Sequence, residues 1–164
     1  MALSNPLDIL LAHNHWATRN VLDACVKLSS EQFHRRFEIG PGSLHDTLTH
    51  LIGAMDYWSH VVAERPVVEF EDKKRREPVD LLMLLDAVGA DLALTASTKP
   101  LDRVVSRVRM GKTESFTRGG ILTHVTTHGV HHRAQCVNML RHLGASPLPE
   151  VYVIGWMRAE DPVR

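Results

Sequence analysis

The sequence carries 11 histidines against only 2 tyrosines and 4 phenylalanines, and their spacing is what could do chemistry. His124, His128, His131, His132 and His142 fall in one stretch that ends at Gly144. Imidazoles hold divalent ions, pass protons near neutral pH and satisfy buried hydrogen bonds, so the face each one occupies decides its role. Projected at about 100° per residue from His124, the residues Ile121, Leu122, Val125, Cys136, Met139, Leu140 and Leu143 form an apolar arc centred at about 110°. His132 lies at about 80° and His128 at about 40°, inside that arc or at its edge, while His124 and His131 fall outside it. Two imidazoles thus face the core one turn apart, the spacing by which helices present two nitrogens to one metal ion. A lone core histidine is usually a hydrogen-bonded structural group; two in successive turns are harder to account for that way. Gly129, Val130 and His131 stand between them, so the acid of a His-Glu-x-x-His peptidase is absent and that chemistry is excluded.

A third ligand must come from another element. The segment after Ser43 offers His45, His50 and His60, none of which lies within the apolar arc of Leu44, Leu51, Met55 and Trp58. His50 and His45 flank that arc on opposite sides, and His60 points farther away. His13 and His15 near the start are further candidates, as is Cys136, whose plainer role is a small buried hydrophobe. Beside the ligands, Arg133 suits pairing with a carboxylate on a neighbouring helix, Gln135 suits orienting a ligand, and His131 suits a proton shuttle or ligand partner. Ordinary helix-surface or seam positions are the plainer reading of all three.

These residues need helices to position them. Ser4 caps a first helix over about residues 5–28, with Pro6 in its first turn. Ser29 to Gly42 is a connector, and Ser43 caps a second helix whose stripe runs from Leu44 to Val62. Glu64 to Val79 has no periodicity and reads as a solvated crossover; its Lys73-Lys74-Arg75-Arg76 run has acids on both sides. Asp80 opens a third helix that stops before Pro100. Leu101 to Thr117, around Gly111, reads as a short β-hairpin. A fourth helix runs from about Ile121 to Leu143, ended by Gly144. The tail from Ala145 to Arg164 is apolar enough to pack on the helices or on a partner subunit. The expected fold is all-α: a four-helix bundle with a long crossover between helices two and three and a hairpin before helix four, in one domain over residues 1–164. Bundles of this kind build metal sites from facing helices.

The totals narrow the function. Lys plus Arg number 19 and Asp plus Glu 19, a formal net charge of zero that argues against nucleic acid or anionic lipid as the main partner. Two cysteines make no disulfide framework and fit a reducing compartment. No stretch reaches the roughly 18 apolar residues of a membrane span. The N-terminus lacks a signal-peptide pattern, so the expected location is the cytoplasm.

Three segments carry a resemblance. Asn14-His15-Trp16-Ala17 is similar to an Asn-x-Trp-Ala signature, and Ser43 with Leu48-Thr49-His50-Leu51 to a Ser…Leu-x-His-Leu stretch. His124-Val125-Thr126-Thr127-His128-Gly129-Val130-His131-His132-Arg133-Ala134-Gln135, followed by Leu140-Arg141-His142-Leu143-Gly144, is similar to His-Val-x-x-His-x-x-His-His-Arg-x-Gln…Leu-Arg-x-x-Gly. Together and in this order they resemble the DinB/YfiT-like family, over nearly the whole chain. One departure is His13, where many relatives have Tyr.

The resemblance implies a four-helix bundle, usually dimeric, with a divalent metal on three histidines: His50, His128 and His132. Zn²⁺ and Ni²⁺ both suit imidazole, and three such ligands leave an open position for water or substrate. Relatives include metal-dependent transferases that use low-molecular-weight thiols such as bacillithiol or mycothiol, and a mycothiol-dependent maleylpyruvate isomerase. The implied function is a metal-dependent enzyme that activates a thiol or water for S-transfer, isomerisation or hydrolysis of a small-molecule substrate. The implied assembly is a homodimer. The competing class is a non-catalytic metal-binding bundle for sensing, stress response or dimerisation.

Overall fold

A computed structural model describes residues 3–160. The chain is mostly helical: α1 (Pro6–Val26), α2 (Ser30–His34), α3 (Leu44–Ala63), α4 (Pro78–Ser97), β1 (Val104–Arg109), β2 (Lys112–Thr117), α5 (Arg118–His142) and α6 (Val153–Glu160).

Local chemistry sets the boundaries. Asn5, not Ser4, caps α1: its Oδ1 accepts the Leu7 N–H at 2.9 Å, and Pro6 needs no partner because it has no N–H. The connector expected over 29–42 contains the short helix α2, closed by a reciprocal box in which Ser29 Oγ accepts from Gln32 N (3.2 Å) and Gln32 Oε1 accepts from Ser29 N (2.9 Å). Ser43 caps α3 as its side chain suggested, accepting the Asp46 N–H at 2.9 Å. Helix α4 starts at Pro78, two residues ahead of Asp80, whose carboxylate takes the Glu77 N–H at 2.9 Å. Helix α5 starts at Arg118 rather than Ile121, because Thr117 Oγ1 accepts from Gly120 N and draws the glycine pair into the first turn.

The hairpin forms where the sequence placed it. The strands β1 and β2 pair antiparallel from Val104↔Thr117 to Arg109↔Lys112, leaving Met110-Gly111 as a two-residue turn. Both turn residues have positive φ (50° and 74°), the geometry that matches the right-handed twist of the strands.

Helices α1 and α3 each pack on both α4 and α5, so the core lies among the four long helices. Leu22, Leu48, Leu51, Ile52, Leu81, Leu85, Leu122, Met139 and Leu140 are fully enclosed there; each such side chain contributes about 2 kcal/mol of transfer free energy. Arg118, also enclosed, ties the ends of two helices together. Its Nε donates to Val62 O (3.2 Å) on α3, its Nη2 to Thr95 O (2.5 Å) on α4, and its Nη1 to Lys99 O and Pro100 O.

The tail packs back on the chain through α6 against α1, with Trp156 buried. His13 Nε2 donates to Val151 O (3.0 Å) and Asn20 Nδ2 to Glu150 O (3.0 Å); residues 161–164 lie outside those described. The crossover is polar but not wholly solvated. Arg76 is buried over the Phe70 ring and donates to Glu71 O and Lys74 O. Among the described residues, no helix is long and apolar enough to cross a membrane.

Candidate metal centre

Where α3 lies against α5, three imidazoles meet. His128 and His132 project from successive turns of α5, and His50 reaches them from α3. His132 Nε2 lies 3.0 Å from His128 Nε2, which lies 3.2 Å from His50 Nε2. The ring centroids are 4.3 to 5.1 Å apart. His132 is buried, His128 half-buried and His50 exposed, so the group is covered on its core side and open on the other.

The same spot receives three Nε2 atoms, and their protonation is constrained. Gln135 Oε1 is an acceptor only, so the Nδ1 that meets it at 2.8 Å carries the His132 proton and Nε2 keeps its lone pair. Burial, followed by the nearness of His132 and His50, lowers the pKa of His128 from 6.5 to about 4. Burial lowers that of His132 as well, against the opposing Gln135 hydrogen bond. The His128 and His132 rings are therefore neutral at pH 7, the form that ligates metal. Four-coordinate zinc with bonds of about 2.0–2.1 Å sets its nitrogen ligands about 3.3 Å apart, close to the separations here. Three imidazoles whose Nε2 atoms converge fit a borderline divalent ion.

The structure sends the other candidates elsewhere. His45 is buried beside Phe33 and His34, with Nδ1 on Asp46 (2.9 Å) and Nε2 accepting from Arg76 N (3.2 Å). His60 Nδ1 donates to Pro66 O, His15 meets Asp86 at 3.0 Å, and His13 is taken by Val151 O. Cys136 is enclosed near Cys25, and burial pushes its thiol up to about 12, far from a thiolate ligand.

Two further expectations resolve differently. Among the described residues Arg133 pairs with no carboxylate, and it is not at the surface: it is enclosed, and its Nη1 donates to Asn14 Oδ1 (2.5 Å), Thr18 Oγ1 (3.1 Å) and Asn14 O (3.3 Å) on α1. Desolvation lowers its pKa to about 10. His131 meets the cluster through Gln135, whose Nε2 donates to His131 Nε2 at 3.0 Å. A role for Asn14 as the partner of Arg133 was not foreseen; the polar Asn14 beside the apolar face of α1 was its only signal.

Fold and cluster together define a helical protein with a three-imidazole cluster between two of its long helices. A family model described as "DinB family" matches residues 3–161, and the chain belongs to that family. In fold it is similar to a crystal structure of a DinB-like protein from Bacillus cereus ATCC 10987, with a TM-score of 0.68 at 18% identity, covering 86% of this chain and 92% of that one. No curated protein matches the sequence.

Proposed function

We propose that His50, His128 and His132 hold one divalent ion, zinc or nickel, and that the protein is a metal-dependent enzyme that activates a thiol or water. The reaction classes are thiol-dependent S-transfer, isomerisation or hydrolysis of a small molecule. The observation that carries this reading is the convergence of three Nε2 atoms, with successive separations of 3.0 and 3.2 Å, in a cluster exposed at His50. We read the four long helices as a four-helix bundle forming one domain over 1–164, and the protein as a cytoplasmic homodimer.

A divalent ion bound there supplies Lewis acidity, bringing the pKa of a thiol or water toward about 7 and polarising a carbonyl. The chain's own residues do the rest. Gln135 holds the His132 proton on Nδ1 and turns Nε2 toward His128. The α3–α5 packing covers the cluster from within, and exposed His50 borders the side from which a reactant enters.

The second reading, a non-catalytic metal-binding bundle, is favoured by the groups in reach. Among the described residues, the side chains hydrogen-bonded to the three rings are one another and Gln135, and no carboxylate stands by as an acid or base.

Elemental analysis of untagged protein, with His50→Ala, His128→Ala and His132→Ala beside it, tests the site. One divalent ion per chain, lost in each variant, is the expected result. Folded protein that takes up neither Zn²⁺ nor Ni²⁺ refutes it. Turnover of an electrophile with a low-molecular-weight thiol then separates the enzyme from the bundle that only binds.

A further inference from the structure

The row of imidazoles continues past the cluster along the seam of α3 and α5. The His124 ring lies one turn before His128, with centroids 5.5 Å apart, and meets Trp58 edge-on at 5.6 Å. Beyond it the seam opens into a cleft of about 820 Å³ walled by Tyr57, Trp58, Arg107, Arg109, Phe116 and His124. That volume suits a small molecule.

The cleft has a built wall and an unmatched charge. The Arg107 guanidinium lies 4.3 Å from the Trp58 ring centroid, and 5.6 and 5.7 Å from those of Tyr57 and Phe116. Glu114 accepts from its Nε at 2.8 Å and the Tyr57 hydroxyl from its Nη1 at 3.3 Å, so this cation is neutralised and stiffens the three rings. Arg109 lies two residues along β1, on the same face of the strand. It is exposed and, among the described residues, has no acid partner; no carboxylate lines the cleft. Flat aromatic surface beside one uncompensated guanidinium recognises a planar ring that bears an anion. A cationic ligand meets like charge there, and a neutral one leaves Arg109 unused.

We propose that this cleft seats the second reactant of the three-histidine centre, and that this reactant is an aromatic carboxylate, its ring against Trp58 and Phe116 and its carboxylate on Arg109. The assignment of the ligand as a reactant rests on the metal-centre reading; the cleft's preference for an anion does not.

The test uses 1-naphthoate and its neutral counterpart 1-naphthylmethanol, with binding measured by equilibrium dialysis and tryptophan emission on metal-free and Zn²⁺-treated protein. Naphthoate is expected to bind both preparations at least about tenfold more tightly than the alcohol, a difference of about 1.4 kcal/mol. Arg109→Ala, at an exposed position, should remove most of that preference. Trp58→Phe should keep binding in dialysis but lose most of the emission change. Equal binding of the two ligands, an unchanged preference in Arg109→Ala, or binding only in the presence of Zn²⁺ overturns the assignment. Metal uptake without naphthoate binding overturns the cleft and leaves the centre standing. Naphthoate binding by a protein that takes up no ion keeps the anion site and refutes its role as the centre's reactant.

Discussion

The Nδ1–H of His132 donates to Oε1 of Gln135 across 2.8 Å, while Nε2 of the same amide donates to His131 at 3.0 Å. One amide thus sets the tautomer of the most buried imidazole in the cluster and links it to an exposed one.

Gln135→Ala should therefore lower affinity for Zn²⁺ about 10- to 100-fold while the protein stays folded, read by competition with a chromophoric chelator. Gly40 supplies a second route to the same effect. Its φ is +51°, and a methyl group there would run into the Gln135 amide, so Gly40→Ala should weaken the metal as well. Wild-type affinity in Gln135→Ala would show that the amide does not orient the ligand.

His45 and His50 lie five positions apart on α3 and should fail in opposite ways. His45→Ala leaves the Arg76 N–H without its acceptor and opens space beside Phe33, at a cost of about 1–3 kcal/mol, with metal content unchanged. His50→Ala should keep the melting temperature of the chelated protein and lose the ion. Melting curves with and without a chelator, alongside metal analysis, check both.

The buried Arg133 depends on uncharged acceptors from α1. Asn14→Leu strips the guanidinium of Asn14 Oδ1 and should destabilise by about 3 kcal/mol, because a charge is left buried with too few partners. Arg133→Met, which removes the charge itself, should cost less. Urea denaturation of both variants decides the order; a larger loss in Arg133→Met would show that the cation is a net source of stability.

Acid should weaken the metal-free protein in a defined window. Burial holds the pKa of His13 below its ordinary value of 6.5, and that of His128 at about 4. Between the folded and unfolded values the unfolded chain binds more protons, so stability rises with pH there. It is complete above about 6.5 and is lost progressively as the pH falls from there. His13→Gln, which can still donate to Val151 O, should flatten part of that slope. Parallel slopes from pH 7 to 5 would remove His13 from the account.

Much of this arrangement is written in local chemistry. Four-residue spacing puts His128 and His132 on one face of a helix whatever surrounds it, because the helical period acts within a single turn. The Ser43 hydroxyl caps α3, and Gly111 accepts the positive φ of a two-residue turn, for reasons equally local. Helix α2 was read as connector, although its signal is as local as the others: Ser29 and Gln32 stand at the spacing of a capping box. The period does not say how two helices are rotated against each other. His45 and His50 both flank the apolar stripe of α3, and the resemblance in sequence, not the stripe, chooses between them. Packing sends His45 to the crossover's Arg76 N–H and His50 to α5. Arg133 was read at the helix surface or a seam, yet it lies in the core, where Asn14 and Thr18 of a helix distant in sequence accept from its Nη1. Sequence determined which residues share a face; only tertiary packing decided which faces meet, since that depends on how four apolar stripes fill one core together.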